Sequence, residues 1–422
     1  MRPLLEESFR AAVAAADPLQ ILPAHLPAPP RGRTCVAAAG KAAASMALAV
    51  ERHWPAGAAL EGLAVTRYAH SLPTQRIRVL EAGHPMPDEA GLRAATAMLE
   101  AARALGEDDL LLALVSGGGS ALLTLPADGL SMADVQAVTR ALLRSGADIR
   151  EINTVRKHLS AIQGGRLAAA TNARVLSLVV SDVTGDDPTH IASGPCAPDV
   201  TTYADALGVL AKYDIAAPQA VRARLEAGAR GDIAETPKPG DTVFARVENR
   251  VVATAHRSLE AAAGVFRGHG FRVAILGDSI TGEAREVAKV MAALVREIRL
   301  HGGPFKPPVA LISGGECTVT VHGEAGRGGR CTEFLLALGI ELEGVPGIHA
   351  IAADTDGIDG SEDNAGAVLS PDSLARARDA GLEPKKCLAA NDSFGFFAAL
   401  GDLVITGPTR TNVNDYRAVL VR

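Results

Sequence analysis

Asp109-Leu-Leu-Leu-Ala-Leu-Val115-Ser116-Gly117-Gly118-Gly119-Ser120 is an unbroken aliphatic run that stops at three glycines held between two serines. The run does not alternate polar with apolar, so it reads as a strand covered on both faces, the pattern of a parallel sheet flanked by helices. Working outward, the same arrangement recurs. Thr34 to Ala39 is followed by Gly40-Lys41 and an alanine-rich helix from Ala42. Arg174 to Ser181 leads into Asp182-Val-Thr-Gly-Asp186-Asp187-Pro188. Later strands are expected over Arg272–Leu276, Pro308–Ser313, His349–Ala353 and Leu403–Thr406, with an amphipathic helix over Glu283–Leu300. Strands alternating with helices predict βαβ units, hence an α/β fold with largely parallel, Rossmann-like sheets. A first helix over Leu4–Ala16 should end at Asp17-Pro18. The polar stretch before Gly240, with Pro237 and Pro239, divides the chain into two α/β domains, 1–236 and 237–422. Ile312-Ser-Gly-Gly-Glu316 in the second half echoes Val115-Ser-Gly-Gly-Gly119 in the first, as two strand ends that need glycine for one geometric reason.

Composition narrows the function. Aromatic residues are 3% of the chain, so the core must be built from Ala, Val, Leu and Ile. Lys and Arg number 42 against 48 Asp and Glu, with no long basic run, which argues against nucleic acid as a partner. No apolar run approaches the ~20 residues of a membrane span. The five cysteines are odd in number and form no CxxC pair, which argues against a disulfide framework and for a reducing compartment, the cytoplasm by default.

In open α/β sheets ligands bind beyond the carboxyl ends of the strands, and the unusual polar clusters of this chain fall there. Ser116 to Ser120 can present backbone N–H groups to phosphate oxygens, although a tight turn would use the same glycines. It matches neither Walker A nor GxGxxG. Lys41 follows a strand directly and can place a point charge on a phosphate or carboxylate. Asp182, Asp186 and Asp187 form one acidic cluster, and Asp354, Asp356 and Asp359 a second. Such carboxylates can hold Mg²⁺, accept a hydroxyl proton, or cap helices. Gly326-Arg327-Gly328-Gly329-Arg330 is a basic, glycine-rich loop whose arginines suit bidentate recognition of an anion. Arg156 and Lys157 lie on one helix and are expected to be exposed. His84, His158 and His190 lack metal-ligand spacing, and no GxSxG elbow is present.

Together these stretches resemble the class II glycerate 2-kinases, whose second half is called the MOFRL domain; some members carry the name hydroxypyruvate reductase. The matching segments include Gly40-Lys41-Ala42-Ala43, Ala82-Gly-His-Pro-Met-Pro-Asp88, Ser116 to Ser120, Val155-Arg-Lys-His-Leu-Ser160 and Ser181 to Asp187. Further on come Ile191-Ala-Ser-Gly-Pro195, Ile312 to Glu316, Gly326 to Arg330, Asp354 to Gly360 and Thr411-Asn-Val-Asn-Asp415. They span the chain in the family's order. The resemblance implies ATP-dependent, Mg²⁺-assisted phosphorylation of D-glycerate on its 2-hydroxyl, in a cleft between a glycerate kinase domain and a MOFRL domain. A homodimer is compatible with it. Lys41 matches the family's functional lysine and Arg330 its functional arginine. Ser116, Gly117, Gly118, Gly119 and Ser120, with Gly315 and Glu316, are then the nucleotide-binding candidates. Asp182 and Asp187 are the metal candidates. The 2-hydroxyl falls to Asp187 or Asp356, and Arg330 to the glycerate carboxylate or a γ-phosphate oxygen. Cys331-Thr332 and Gln163 depart from the family pattern. Two rivals are a nicotinamide-dependent hydroxypyruvate reductase, which should carry a GxGxxG fingerprint that is missing here, and a non-catalytic binder of nucleotides or sugar acids.

Overall fold

The computed structural model describes residues 1–321 and 326–422. The chain forms two compact units, Pro18–Val252 and, around a second core, Met1–Asp17 with Ala253–Arg422. This division differs from the expected one at 236/237. Residues 237–252 stay with the first sheet, and the opening helix, Arg2–Ala14, belongs to the unit built from the second half.

The strands of the unit Pro18–Val252 are β1 (Thr34–Ala39), β2 (Leu60–Arg67), β3 (Ile77–Ala82), β4 (Leu110–Ser116), β5 (Arg174–Val180) and β6 (Val247–Ala253), which ends at the boundary. They lie in the order β3-β2-β1-β4-β5-β6, and every pairing from β3 through β5 is parallel. β1 and β4 are buried along their whole length, which is why their sequences read as continuous aliphatic runs. The order reverses between β1 and β4: β1 is followed in space by β2 on one side and by β4 on the other. That reversal is the switch point at which α/β sheets bind ligands.

Small side chains let the helices sit close. Ala43 to Val50 of the helix Ala43–His53 are all buried. On the other face Ala94, Ala95, Met98 and Leu99 of the helix Glu89–Arg103 pack on Ala37, Val65, Leu111 and Ala113. Asp88 caps that helix, accepting from the N–H groups of Ala90 and Gly91 at 3.1 and 3.0 Å. A helical cluster built around Val138, Leu142, Val155, Leu159, Tyr203 and Leu225 adds a separate core. It carries the helix Ile149–His158, which starts in a capping box of Asp148 and Glu151.

In the other unit the strands are β7 (Arg272–Gly277), β8 (Gly282–Glu283), β9 (Val309–Ser313), β10 (Cys317–Thr318), β11 (Ile348–Asp354), β12 (Gly366–Leu369), β13 (Leu403–Val404) and β14 (Asp415–Val421). Six of them make a sheet in the order β13-β12-β11-β14-β9-β7, and β8 pairs with β10 apart from it. β7 and β9 are parallel. β14 runs back between β9 and β11 and is antiparallel to both, so β9 and β11 keep the common direction expected of them while the sheet as a whole is mixed. β14 is central and fully buried. The sequence reading missed it because it opens with Asp415 and carries Arg417 inside. Arg417 is 1% exposed and is held by Asp415 Oδ2 at 2.8 Å and by the carbonyl of Gly314 at 3.0 Å.

Candidate functional site

The switch point gathers the glycine loop and the lysine. The N–H of Lys41 donates to the carbonyl of Gly117 at 2.8 Å, and the N–H of Ala42 donates to Ser116 Oγ at 3.0 Å. The two loops touch so closely that only glycine fits at position 40. Its φ is +130°, and a Cβ there would lie 2.1 Å from Ser116 Oγ. Gly118 (φ +78°) faces side chains instead, with His84 Nε2 and Lys41 Cγ 3.0 and 3.3 Å from where its Cβ would stand. The helix Ala43–His53 starts here without a side-chain cap, so its first N–H groups and dipole are turned toward the same place.

At the far end of the loop, Ser120 Oγ meets Ser193 Oγ at 2.8 Å. Ser193 also donates to Asn153 Oδ1 at 3.1 Å, and the Asn153 amide donates to the carbonyl of His190 at 3.0 Å. Ala192 and Ser193 both have positive φ, at 50° and 57°, strained backbone of the kind that collects at functional sites. Gln163, one of the departures from the family pattern, is buried and donates its amide to the carbonyls of Ser120 and Leu123 at 2.8 and 3.0 Å. It braces the loop from below without a charge.

Asp182 and Asp187 stand on the loop after β5. Asp187 Oδ1 accepts the N–H of Thr189 at 2.9 Å. Burial pushes its carboxyl pKa up, but the Thr189 hydrogen bonds and the neighbouring His190 and Lys157 outweigh it, so the carboxyl sits below its usual value. Burial and Lys157 hold the His190 imidazole below its usual pKa, and its Nδ1 is buried with no hydrogen-bond partner among the described residues.

Lys157 departs from its expected exposure. It is 1% exposed and lies 3.2 Å from Asp199, itself fully buried, whose Oδ1 also accepts from Thr201 Oγ1 at 2.7 Å. Burial raises the Asp199 carboxyl, but the Lys157 charge, the Thr201 hydrogen bonds and His158 together outweigh it, so the carboxyl sits below its usual value. Arg156, on the same helix turn, is likewise only partly open to solvent.

The other candidates form a separate constellation at the ends of β9 and β11 and the start of β14. Arg330 Nη2 donates to Asp354 Oδ2 at 2.6 Å and its Nε to Asp415 Oδ1 at 2.7 Å, while Glu316 lies at 3.5 Å. Burial acts against the charged guanidinium, but the two carboxylates raise its pKa well above the ordinary value. Gly315 accepts from the N–H of Asp415 at 3.0 Å. Asp356 is 3% exposed; its Oδ1 accepts from the N–H of Ile358 at 2.9 Å, and its own N–H donates to Asp354. Asp359 serves a helix: it accepts the N–H groups of Cys331 and Thr332, at 2.9 and 2.8 Å, and Thr332 Oγ1 at 2.8 Å. Asp415 was legible only as the last residue of the Thr411–Asp415 motif, yet it anchors both Arg330 and Arg417.

Among the described residues no three His, Cys, Asp or Glu side chains converge as a metal-binding group. Mg²⁺ asks for less, one or two carboxylates beside phosphates and waters, and Asp182 and Asp187 share the loop after β5. No helix among the described residues is long and apolar enough to cross a membrane.

A parallel sheet with a lysine and a glycine loop at its switch point defines an open-sheet α/β protein. The sequence profile described as "Domain of unknown function (DUF4147)" matches residues 4–226, and that of the "MOFRL family" matches residues 309–415. The chain belongs to this family. It is 52% identical over its whole length to a "Putative hydroxypyruvate reductase" of Agrobacterium vitis, covering 94% of that protein. It is 40% identical to the D-glycerate 2-kinase of Thermotoga maritima over 98% of this chain and 97% of that one. The crystal structure of glycerate kinase from Thermotoga maritima superposes with a TM-score of 0.87 at 38% identity, covering 100% of this chain and 99% of that one.

Proposed function

We propose that this protein transfers the γ-phosphoryl group of ATP to the 2-hydroxyl of D-glycerate, giving 2-phosphoglycerate and ADP. The observation that carries the reading is the Lys41–Gly117 contact at the β1/β4 switch point, in a chain whose relatives over nearly full length are named glycerate 2-kinases.

Phosphoryl transfer asks a protein mainly for positioning and charge neutralisation. In this proposal the backbone of Ser116 to Ser120 cradles ATP phosphates and Lys41 balances charge on the group in flight. The bond from the γ-phosphorus to the β,γ-bridging oxygen breaks as the one to the glycerate 2-oxygen forms. The hydroxyl proton passes to Asp187, which is ionised at neutral pH and less enclosed than Asp356. Mg²⁺, held in part by Asp182 or Asp187, supplies charge neutralisation across the phosphates when bound. Gly315 and Glu316 are secondary nucleotide candidates. Arg330 enters as the guanidinium that fixes Asp354 and Asp415, and binding an anion requires it to release one of them. We place the reaction in the cytoplasm, in keeping with five free cysteines.

The test is incubation of the purified protein with ATP, Mg²⁺ and D-glycerate, with the product identified by ³¹P NMR. Formation of 2-phosphoglycerate is expected. The 3-phosphate alone would keep the kinase and change the acceptor oxygen; no phosphorylated product from folded protein would end the reading. The name carried by the 52% identical relative favours a reductase. The turn after β1, Ala39-Gly40-Lys41-Ala42, opposes it, since it lacks the GxGxxG of a dinucleotide site. NADH oxidation with hydroxypyruvate would revive that alternative.

A further inference from the structure

The last turn of the helix Ile149–His158 carries three basic side chains, Arg156, Lys157 and His158. Two are accounted for: Lys157 by Asp199, and His158 by the carbonyl of Thr154, 2.7 Å from its Nδ1. The Arg156 guanidinium has no hydrogen-bond or ion-pair partner among the described residues. Burial alone lowers its guanidinium pKa, to about 10, with no carboxylate to offset it. It is still a cation at neutral pH. A desolvated cation without a counter-ion costs the fold free energy until an anion reaches it.

Its surroundings say which anion. Arg156 lines a cavity of about 20 Å³ together with Ser120, Thr124, Thr139, Ser160 and Gln163, room for about one water-sized group. Thr124, Ser160 and Gln163 are engaged within the protein. Thr124 donates to the carbonyl of Ala121 at 2.8 Å, Ser160 Oγ accepts from the N–H groups of Ile162 and Gln163, and the Gln163 amide holds Ser120 and Leu123. The guanidinium, with the Thr139 hydroxyl, is left to meet whatever enters. A polyphosphate does not fit such a space, whereas one oxygen of a small acid's carboxylate does. The cavity also lies at the Ser120 end of the glycine loop, and Lys41 lies beside Gly118.

Building on the kinase reading, we propose that Arg156 binds the carboxylate of the hydroxy-acid substrate, so that the acid is held at the Ser120 end of the loop and phosphoryl transfer takes place toward Lys41. The planar guanidinium, with paired N–H donors, matches a carboxylate's two oxygens.

The test compares wild type with Arg156→Met and Arg156→Lys, by steady-state kinetics and by thermal shift with D-glycerate in the absence of ATP. Arg156→Met should raise KM for D-glycerate roughly 30- to 100-fold, leave KM for ATP within about threefold, and remove the preference for D-glycerate over glycerol, which lacks the carboxylate. Arg156→Lys, which keeps charge without the planar fork and covers the case in which the methionine variant fails to fold, should fall between. Glycerate should raise the melting temperature of the wild type and not that of Arg156→Met. A rise confined to KM for ATP would move Arg156 to a phosphate and overturn the assignment, as would unchanged constants for both substrates. If wild type proved inactive on glycerate, the kinase reading would fail separately. The thermal shift would then still decide the carboxylate site, an equal glycerate response in wild type and Arg156→Met counting against it.

Discussion

Ser116-Gly117-Gly118 and Ser313-Gly314-Gly315 end two strands with the same three residues and do different work. After β4 the serine hydroxyl accepts from Ala42, and Gly118 faces the side chains of Lys41 and His84. After β9 the serine hydroxyl has no hydrogen-bond partner among the described residues, and a Cβ at Gly315 (φ +98°) would stand 2.2 Å from the carbonyl of Ile280. One loop looks onto movable, chargeable groups and the other onto backbone. Glycine lets side chains approach in the first and backbone in the second, a distinction that three letters of sequence cannot carry.

The comparison breaks most readily at Lys41. Lys41→Ala should lower kcat/KM for D-glycerate phosphorylation by roughly 10²–10³-fold, the scale of losing one preorganised charge-stabilising contact, with an unchanged thermal melt. A variant with near wild-type turnover would take the switch point out of the mechanism. On the other side, Asp415→Asn should cost about 3–5 kcal/mol in urea unfolding, because it leaves buried Arg417 without its carboxylate. A variant of full stability and no activity would show that Asp415 faces a substrate instead.

The paired glycine substitutions sharpen the point. Gly315→Ala should lose about 1–3 kcal/mol of stability through strain. Gly118→Ala, meeting only side chains, should lose less stability and proportionally more activity. Equal effects of the two on both readouts would erase the distinction.

The smallest expected effect concerns pH. The depressed pKa of His190 favours its neutral form in the folded state. The corresponding stability is therefore present above the unfolded value of ~6.5 and lost as pH falls from there through the folded value. His190→Gln should flatten that part of the stability-versus-pH curve. Asp187, depressed in its turn, contributes stability that is present above its unfolded value of ~3.9 and lost only as pH falls below it. An unchanged slope between pH 5 and pH 6.5 in His190→Gln would assign the titration elsewhere.

Much of the fold could be read from the chain because burial on both faces writes itself as aliphatic runs: β1, β4, β5, β9 and β11 were all anticipated to within a residue or two, as was the aliphatic but less buried β7. β2 and β3 were not, since their buried positions are interrupted by exposed ones such as Glu61 and Arg78. β14 was hidden by the charges it buries. At the candidate site, Lys41 and the glycine loop were legible as strand-end features, and the structure brings them into contact. Lys157 was misjudged as exposed, since its counter-ion Asp199 is distant in sequence and only the fold brings it within reach. The same holds for Arg330, whose two carboxylate partners come from separate strands.

The opening helix has its apolar face, Leu4, Leu5, Phe9 and Ala12, buried among residues such as Phe266, Ile351 and Tyr416, and Ser8 accepts from the Tyr416 hydroxyl at 2.8 Å. On the ribosome those partners are made last. At ~5–20 residues per second the helix waits tens of seconds for its seat, while the whole of Pro18–Val252 is synthesised and can fold. An apolar segment left uncovered for that long is what chaperones recognise, so newly made chains should depend on such protection more than the fold of either unit would suggest.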